Sequence, residues 1–175
     1  NRNLRLGMMD MQTDKVDETG LPGQNFAVLS LQQKVFSRSN IGLMFVNKES
    51  LDYNSLTDSL QTQYTKFNRN LGLEYNLASA DNQYNGKVFM LKSFGPDSTY
   101  NGFAQGAHLE YSSRKWNWRV QQEYISEDFT SEVGFVPRNN YIKLEGSVGH
   151  LFLPNSEKVV SHGPQYTGFY YFDPS

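Results

Sequence analysis

The chain of 175 residues contains no cysteine, which excludes a disulfide framework, a thiolate metal site and a cysteine nucleophile. No apolar run reaches the length of about 18 residues that a transmembrane helix needs, so such a helix is excluded. The net charge of −2 at pH 7 is too small to indicate a nucleic-acid partner. What the chain does have is an aromatic content of 14%, which suits β-sheets and membrane interfaces.

One segment, Phe103 to Tyr124, alternates so regularly that it predicts a β-hairpin with one apolar and one polar face. The apolar face, interrupted by Gln105 and Gln122, is predicted to hold Phe103, Ala107, Leu109, Tyr111, Trp116, Trp118, Val120 and Tyr124. The polar face is predicted to hold His108, Glu110, Asn117, Arg119, Gln121 and Glu123. Strands of this length, with aromatic residues massed near the turn, resemble those of a barrel that crosses an outer membrane.

Strand-like runs recur along the chain, and the connections between them alternate between long loops and short turns. Short turns are predicted at 37–40, around 80–82, at 112–115 and at 154–156, and long loops at 14–23, 47–66 and 126–139. Outer-membrane barrels have this layout, with the short turns facing the periplasm. The sequence therefore predicts an all-β fold, an antiparallel up-and-down transmembrane β-barrel. Residues 1–175 are expected to form one segment, with about eight or nine strands of a larger barrel.

We expect this segment to be incomplete at both ends. An open sheet edge in hydrocarbon leaves backbone N–H and C=O groups unpaired, and each such group costs several kcal/mol. The segments Leu4–Met8 and Tyr166–Phe172 are therefore predicted to pair with strands outside this sequence rather than with each other.

Side chains in a strand point alternately to its two faces, so the odd or even position of a residue, here called its parity, predicts whether its side chain faces lipid or the barrel interior. The predicted lipid-facing side chains are Leu71, Leu73, Leu109, Trp118, Val120, Ile142 and Leu144. The predicted polar network of the lumen consists of Glu74, His108, Glu110, Arg119, Glu123, Lys143 and Glu145. Tyr111, Trp116 and Trp118 lie beside a short turn, where their amphipathic rings are expected to form a membrane girdle, with stacking on sugars as the alternative.

The phrase Glu132-Val133-Gly134-Phe135-Val136-Pro137-Arg138 resembles a signature of large outer-membrane proteins of Gram-negative bacteria. These proteins carry an N-terminal family-9-like carbohydrate-binding module and a long C-terminal β-rich region, and the likeness is to that region. Arg38-Ser39-Asn40-Ile41-Gly42 and Asn70-Leu71-Gly72 resemble it as well, so the likeness extends from about Asn25 to Phe152. The resemblance implies localisation in the outer membrane of a Gram-negative bacterium. It implies no activity, and because the carbohydrate-binding module is missing, no glycan-binding role transfers to these residues.

The same phrase predicts a loop latch that packs into the barrel and is formed by Glu132, Gly134, Phe135, Pro137 and Arg138. Gly134 supplies backbone freedom, and Pro137 stiffens the chain where it re-enters a strand. Arg138 can pair with a carboxylate inside the mouth, because its guanidinium matches carboxylate geometry. Contact with a substrate is the alternative role for this loop.

The sequence offers no catalytic, cofactor-binding or metal-binding motif, since its three histidines lack ligand spacing and no nucleophile or phosphate-loop phrase occurs. The predicted function is an integral outer-membrane β-barrel segment, used for solute passage or as a subunit of a surface complex that can include glycan handling. Its expected partners are outer-membrane lipid and other outer-membrane proteins or glycans, without nucleic acid. Two alternatives stay open, namely a soluble β-sandwich that binds carbohydrate and a barrel-embedded hydrolase using lumen carboxylates.

Overall fold

The computed structural model describes residues 3–51, 53, 65–134, 136–156 and 158–174, and its strands form one antiparallel sheet. The strands are β1 Leu4–Thr13, β2 Gln24–Val35, β3 Ser39–Ser50, β4 Phe67–Ala78, β5 Tyr84–Phe94, β6 Phe103–Ser112, β7 Trp116–Ile125, β8 Tyr141–His150 and β9 Gln165–Phe172. Two single-turn 3₁₀ helices, Asp17–Thr19 and Ser98–Tyr100, lie in the loops after β1 and β5. No helix in the described part of the chain combines the length and apolarity that crossing a bilayer requires.

Each strand pairs with its neighbours in sequence, so the order in the sheet runs from β1 to β9 without a crossover. The predicted all-β, antiparallel, up-and-down architecture is confirmed. Among the described residues β1 and β9 are not paired with each other, and the sheet is open. The described residues form a single sheet rather than the two packed sheets of a β-sandwich, so the sandwich alternative does not describe this fold.

Cross-strand pairing aligns side chains of like polarity in rows that continue over many strands. Leu6, Leu31, Leu43, Leu73 and Met90 are successive partners on one face of β1 to β5. We call the face that contains this row the apolar face and the opposite one the polar face. The polar face also holds apolar side chains, among them Met9 and Met11 of β1 and Phe169 and Tyr171 of β9.

The connections sort by length between the two ends of the sheet, with one departure from the sequence-based expectation. Short turns join β2 to β3, β4 to β5 and β6 to β7 at one end, which we call the short-turn end. A local turn forms at 154–156, where the Ser156 N–H donates to the Pro154 carbonyl at 3.0 Å, but it is not the predicted short connection: β8 stops at His150, and the connection to β9 occupies residues 151–164. Pro154 has no N–H to donate to a ladder, and the Leu151 N–H donates to the Lys115 carbonyl at 2.7 Å instead.

The turn between β4 and β5 shows how local side chains fix a register. The Asp81 carboxylate accepts hydrogen bonds from the Ser79 hydroxyl at 2.6 Å and from the Gln83 N–H at 3.1 Å. These two bonds hold the pKa of the Asp81 carboxyl below its usual value. Asn82 takes the left-handed conformation with φ of 61°, which asparagine tolerates better than most residues. The turn therefore closes the hairpin with Ala78 opposite Asn85.

The hydrophobic core is small and lies on the polar face, beneath the connection between β7 and β8. Its buried members are Ala104, Ile125, Phe129 and Tyr141, with Leu91 and Val136 packed at its margin. Phe129 belongs to the connection itself, whereas the other three buried side chains come from β6, β7 and β8. A loop residue thus completes the core, and the loop is fastened to the sheet by burial of its aromatic ring.

The β5–β6 loop approaches the same connection so closely that glycine is required at position 102. The Gly102 N–H donates to the Asp128 carbonyl at 3.0 Å, and a Cβ atom at 102 would lie 2.0 Å from the Phe129 backbone nitrogen. We predict that Gly102→Ala lowers the free energy of unfolding by about 1–3 kcal/mol, because backbone must move to admit the methyl group. Denaturant titration followed by circular dichroism measures the change.

Gly146→Ala is the matched control, because the nearest atom to a Cβ there, the Arg119 carbonyl oxygen, is 4.0 Å away. We expect its stability to stay within about 1 kcal/mol of the parent, since alanine loses less backbone entropy on folding than glycine. Equal losses in the two variants would contradict the proposed close approach at Gly102.

Candidate functional site

The polar face carries the chemistry of this chain, and register puts all seven residues of the predicted lumen network on it. Across the ladders Glu110 lies opposite Arg119, and Glu123 lies opposite Lys143. Gln121 of β7 lies between His108 of β6 and Glu145 of β8, the partner positions on either side. The structure thus brings six of the seven together on β6, β7 and β8.

The charged side chains of this six-residue group contact one ionic partner and two neutral ones. Lys143 Nζ lies 2.6 Å from Glu145 Oε2, and the Tyr141 hydroxyl donates to Glu123 Oε1. Arg119 donates through Nη2 to Gln121 Oε1 at 2.7 Å, while its buried Nε has no hydrogen-bond partner among the described residues. Carboxylates engaged in this way favour a polar lining over a pair of carboxylates poised for catalysis.

Glu74, the seventh predicted residue, belongs to a separate network of hydrogen-bonded side chains that crosses β1 to β5. We call it the amide ladder, and its members are Arg5, Gln32, Asn40, Asn76, Glu74 and Lys87. The Gln32 and Asn76 side-chain N–H groups both donate to Asn40 Oδ1, at 2.9 and 2.8 Å. Asn76 also donates to Glu74 Oε1 at 2.8 Å, and Glu74 Oε2 lies 2.5 Å from Lys87 Nζ.

Sequence reasoning missed the other five members of this ladder. Gln32, Asn40, Asn76 and Lys87 all fall on the same face as Glu74 once the strands are paired. The members were missed because polar residues are common on any exposed strand, and only the register reveals that these side chains meet.

A groove of about 620 Å³ lies along the amide ladder on the polar face. Glycines at 7, 42 and 72 form its floor, and Met44, Phe89 and Leu91 supply apolar walls beside Arg5, Gln32, Glu74 and Lys87. A larger depression of about 790 Å³ lies mostly on the apolar face, where Gly86, Ala107, Gly146 and Gly168 leave room between leucine and tyrosine side chains. Both are open depressions, and their volumes fall within the range of small-molecule pockets.

The predicted loop latch lies across the polar face and reaches strands far from its own. The connection between β7 and β8, which contains the latch, hydrogen-bonds to β4 and β5. The Asn68 side chain donates to the Thr130 carbonyl at 3.2 Å and accepts from the Glu132 N–H at 3.1 Å. The Thr130 N–H donates to Ser93 Oγ at 3.3 Å. Asn68 and Ser93 are fully buried by these contacts.

One latch contact is an ion pair between a buried lysine of β3 and a partly exposed carboxylate of the loop. Lys48 Nζ lies 2.8 Å from Glu132 Oε2, and the two side chains are 2% and 25% exposed. Lys48 also donates to the Thr65 carbonyl at 3.0 Å, and the Thr65 hydroxyl donates to Glu132 Oε1. Lys48 escaped sequence analysis because the predicted third strand ended at Val46, whereas β3 continues to Ser50.

The remaining latch residues contribute differently from the sequence-based expectation. Arg138 was expected to meet a carboxylate, but its guanidinium lies over the ring of Tyr141, 5.9 Å from the centroid. Gly134 lies beside Ser131, and Pro137 is exposed. Phe135 lies outside the described residues. Glu132 is therefore the latch residue that carries the ionic contact.

The three residues of the predicted girdle lie near the short-turn end of the apolar face. Tyr111 stacks on Trp118 with ring centroids 5.9 Å apart, and Tyr84 joins them at 4.9 Å from Tyr111. Trp116 packs edge-on against His150 at 4.3 Å. Tyr84 was not expected in this cluster, although it begins β5 directly opposite Tyr111.

In the described ranges no group of three histidine, aspartate or glutamate side chains is arranged to hold a metal ion. Fold and site define a single-sheet, up-and-down β protein with one apolar face and one latched polar face. The chain belongs to the family described as a domain of unknown function, DUF5916, whose model matches residues 8–170. No curated protein and no solved structure matches the chain.

We predict that Glu132→Gln lowers the free energy of unfolding by about 3–5 kcal/mol, because it leaves the buried Lys48 ammonium without a carboxylate. Lys48→Met combined with Glu132→Met is expected to recover part of that loss, since no charge then stays buried. Denaturant titration gives the stabilities, and hydrogen exchange of the amides in 126–134 reports whether the latch opens.

Lys15→Met is the control for these variants, because Lys15 pairs with Asp17 at 3.2 Å with both side chains largely exposed. Exposed pairs contribute about 0–1 kcal/mol. If Glu132→Gln changed stability as little as Lys15→Met, the latch would not depend on the buried pair.

Proposed function

We propose that this chain forms part of the wall of an outer-membrane β-barrel in a Gram-negative bacterium, with its apolar face toward lipid and its polar face toward a solute-conducting lumen. The observation that carries the proposal is the exposure of the apolar face. Leu6 is 69% exposed and Val120 is 52% exposed, and similar side chains continue across the nine strands. Soluble monomers rarely expose a contiguous apolar patch above roughly a few hundred Å².

Strand dimensions and charge placement support the same proposal. The strands contain 8 to 12 residues, and a tilted strand of about 9–11 residues crosses the hydrocarbon layer. Lys48, Lys87 and Lys143 lie on the polar face, where each has a carboxylate partner. The aromatic cluster of Tyr84, Tyr111 and Trp118 suits the headgroup region, because its rings have apolar bodies and polar tips.

The open edges extend the proposal to strands that this sequence does not contain. The outer sides of β1 and β9 have no partner strand among the described residues. Unpaired backbone groups cost several kcal/mol each in hydrocarbon, so a membrane wall needs further strands at both edges. We propose that these strands come from the same protein, and that association with a carbohydrate-binding module gives the barrel a role in glycan handling.

Single-cysteine labelling tests the assignment of the two faces, because the native chain has no cysteine to interfere. We predict that a water-soluble maleimide labels Gln121→Cys but not Val120→Cys in the native membrane, and that a lipid-soluble reagent does the reverse. Both positions should be labelled equally after denaturation, which is the control. Equal labelling of the two folded variants by the water-soluble reagent would refute the proposal.

A charge substitution at the same two positions gives an independent measurement. Val120→Lys should destabilise the membrane-inserted protein by about 2–4 kcal/mol, because an ammonium group near the midplane loses its hydration. Gln121→Lys is the matched control and should cost about 1 kcal/mol or less, since lumen positions stay hydrated. Stability in lipid vesicles, followed by denaturant titration, distinguishes the two. Equal costs for the two variants would count against a lipid-facing position for Val120.

A further inference from the structure

A second, smaller cavity opens on the polar face at the short-turn end of β1, β2 and β3. Its volume is about 280 Å³, and it shares Arg5 and Gln32 with the glycine-floored groove. The cations Arg5, Lys34 and Arg38 line it together with the amides of Asn3, Gln32 and Asn40. In the part of the chain that the structure describes, no carboxylate lines this cavity.

Backbone pairing, rather than chance exposure, gathers these three cations. Arg5 lies opposite Gln32 in the β1–β2 ladder, and Lys34 lies opposite Asn40 in the β2–β3 ladder. The Lys34 N–H donates to the Asn3 carbonyl at 2.7 Å, which fixes the end of β1 against β2. Arg38 follows at the tight turn, where Phe36 takes the left-handed conformation with φ of 54°.

The three cations differ from other cations of the same face in their electrostatic pairing. Lys48, Lys87 and Lys143 each lie within 2.8 Å of a carboxylate oxygen. Arg5, Lys34 and Arg38 form no ion pair with any described carboxylate, and the Arg5 contact is a neutral one to Gln32 Oε1 at 3.4 Å. Three positive charges that share one cavity repel each other, so an anion placed among them lowers the free energy of the folded protein.

The amides of this cavity also favour an anion. Gln32 Oε1 accepts from Arg5, and Asn40 Oδ1 accepts from both Gln32 and Asn76, so their oxygens are already engaged in the amide ladder. The hydrogen-bonding capacity that Asn40 retains lies mainly in its N–H groups. A cavity lined by guanidinium, ammonium and amide N–H donors matches the oxygens of a phosphate or carboxylate.

We infer that this cavity binds the anionic group of a small organic solute, a phosphate or a carboxylate, while the uncharged part of the solute lies in the adjoining groove. The groove supplies Phe89, Leu91 and Met44 for apolar contact. A role for the site in solute passage rests on the proposed function. Anion binding by the polar face does not require lipid and can be measured by itself.

Isothermal titration of the folded protein with pyrophosphate and, separately, with citrate tests the inference and distinguishes phosphate from carboxylate recognition. The combined variant Arg5→Gln/Arg38→Gln should weaken binding about tenfold or more per arginine, because each loses a charge-assisted hydrogen bond. Arg38→Lys keeps the charge without the forked donor geometry and should lie between the parent and Arg38→Gln. Added sodium chloride should weaken binding to the parent.

Arg114→Gln is the matched control, because Arg114 is an exposed arginine in another short turn and lines neither of these two cavities on the polar face. It should leave both affinities unchanged. Failure of both probes to bind, or an equal loss of affinity in Arg114→Gln and in the combined variant, would overturn the inference.

The outcome is separable from that of the proposed function. Labelling of Val120→Cys and Gln121→Cys reports membrane insertion, whereas titration reports the anion site. If neither probe binds but the labelling pattern is as predicted, the anion site is refuted and the membrane orientation is not. If a probe binds but both positions are labelled equally, the membrane orientation is refuted and the anion site is supported.

Discussion

The structure depends on an unbroken antiparallel register across nine strands. Within the described strands each ladder continues without a bulge, so partners such as Leu31, Leu43 and Leu73 stay on one face from strand to strand. Side chains alternate with a period of two, and a slip of one residue in any ladder would therefore invert every strand beyond it. That single register has three consequences: the separation into an apolar and a polar face, the amide ladder, and the cavity lined by Arg5, Lys34 and Arg38.

A single sheet buries little apolar surface, and this constraint explains the importance of the latch. Two packed layers normally share a hydrophobic core, whereas here the buried cluster is four side chains, one of them supplied by a loop. Hydrogen bonds from Asn68 and Ser93, together with the ion pair of Lys48 and Glu132, link the β7–β8 connection to three other strands. These are contacts between residues far apart in sequence, and they hold the sheet in one shape where neighbouring ladders alone would let it flex.

Sequence parity predicted the elements well because alternation is a local property. The apolar side chains from Leu109 to Val120 needed no partner to be assigned to a face. Parity failed where polar residues occupy both faces, as in the end of β3, where Asn47 to Ser50 read as loop. The ion pair between Lys48 and Glu132 could not be predicted, because its partners are joined only after five strands have been laid side by side. Asn40 and Asn76 were missed for the same reason.

The distribution of charge on the polar face fits the proposal that this face meets water and solute rather than a packed interior. A protein interior requires that each charge be paired, since an isolated buried ion costs far more than a hydrogen bond returns. Pairing is complete where the latch buries Lys48, and it is absent where Arg5, Lys34 and Arg38 line an open cavity. The polar face therefore contains a closed, neutralised region under the latch and an open, cationic region at the short-turn end. The anion site that we propose therefore lies at the end of the face that the latch leaves uncovered.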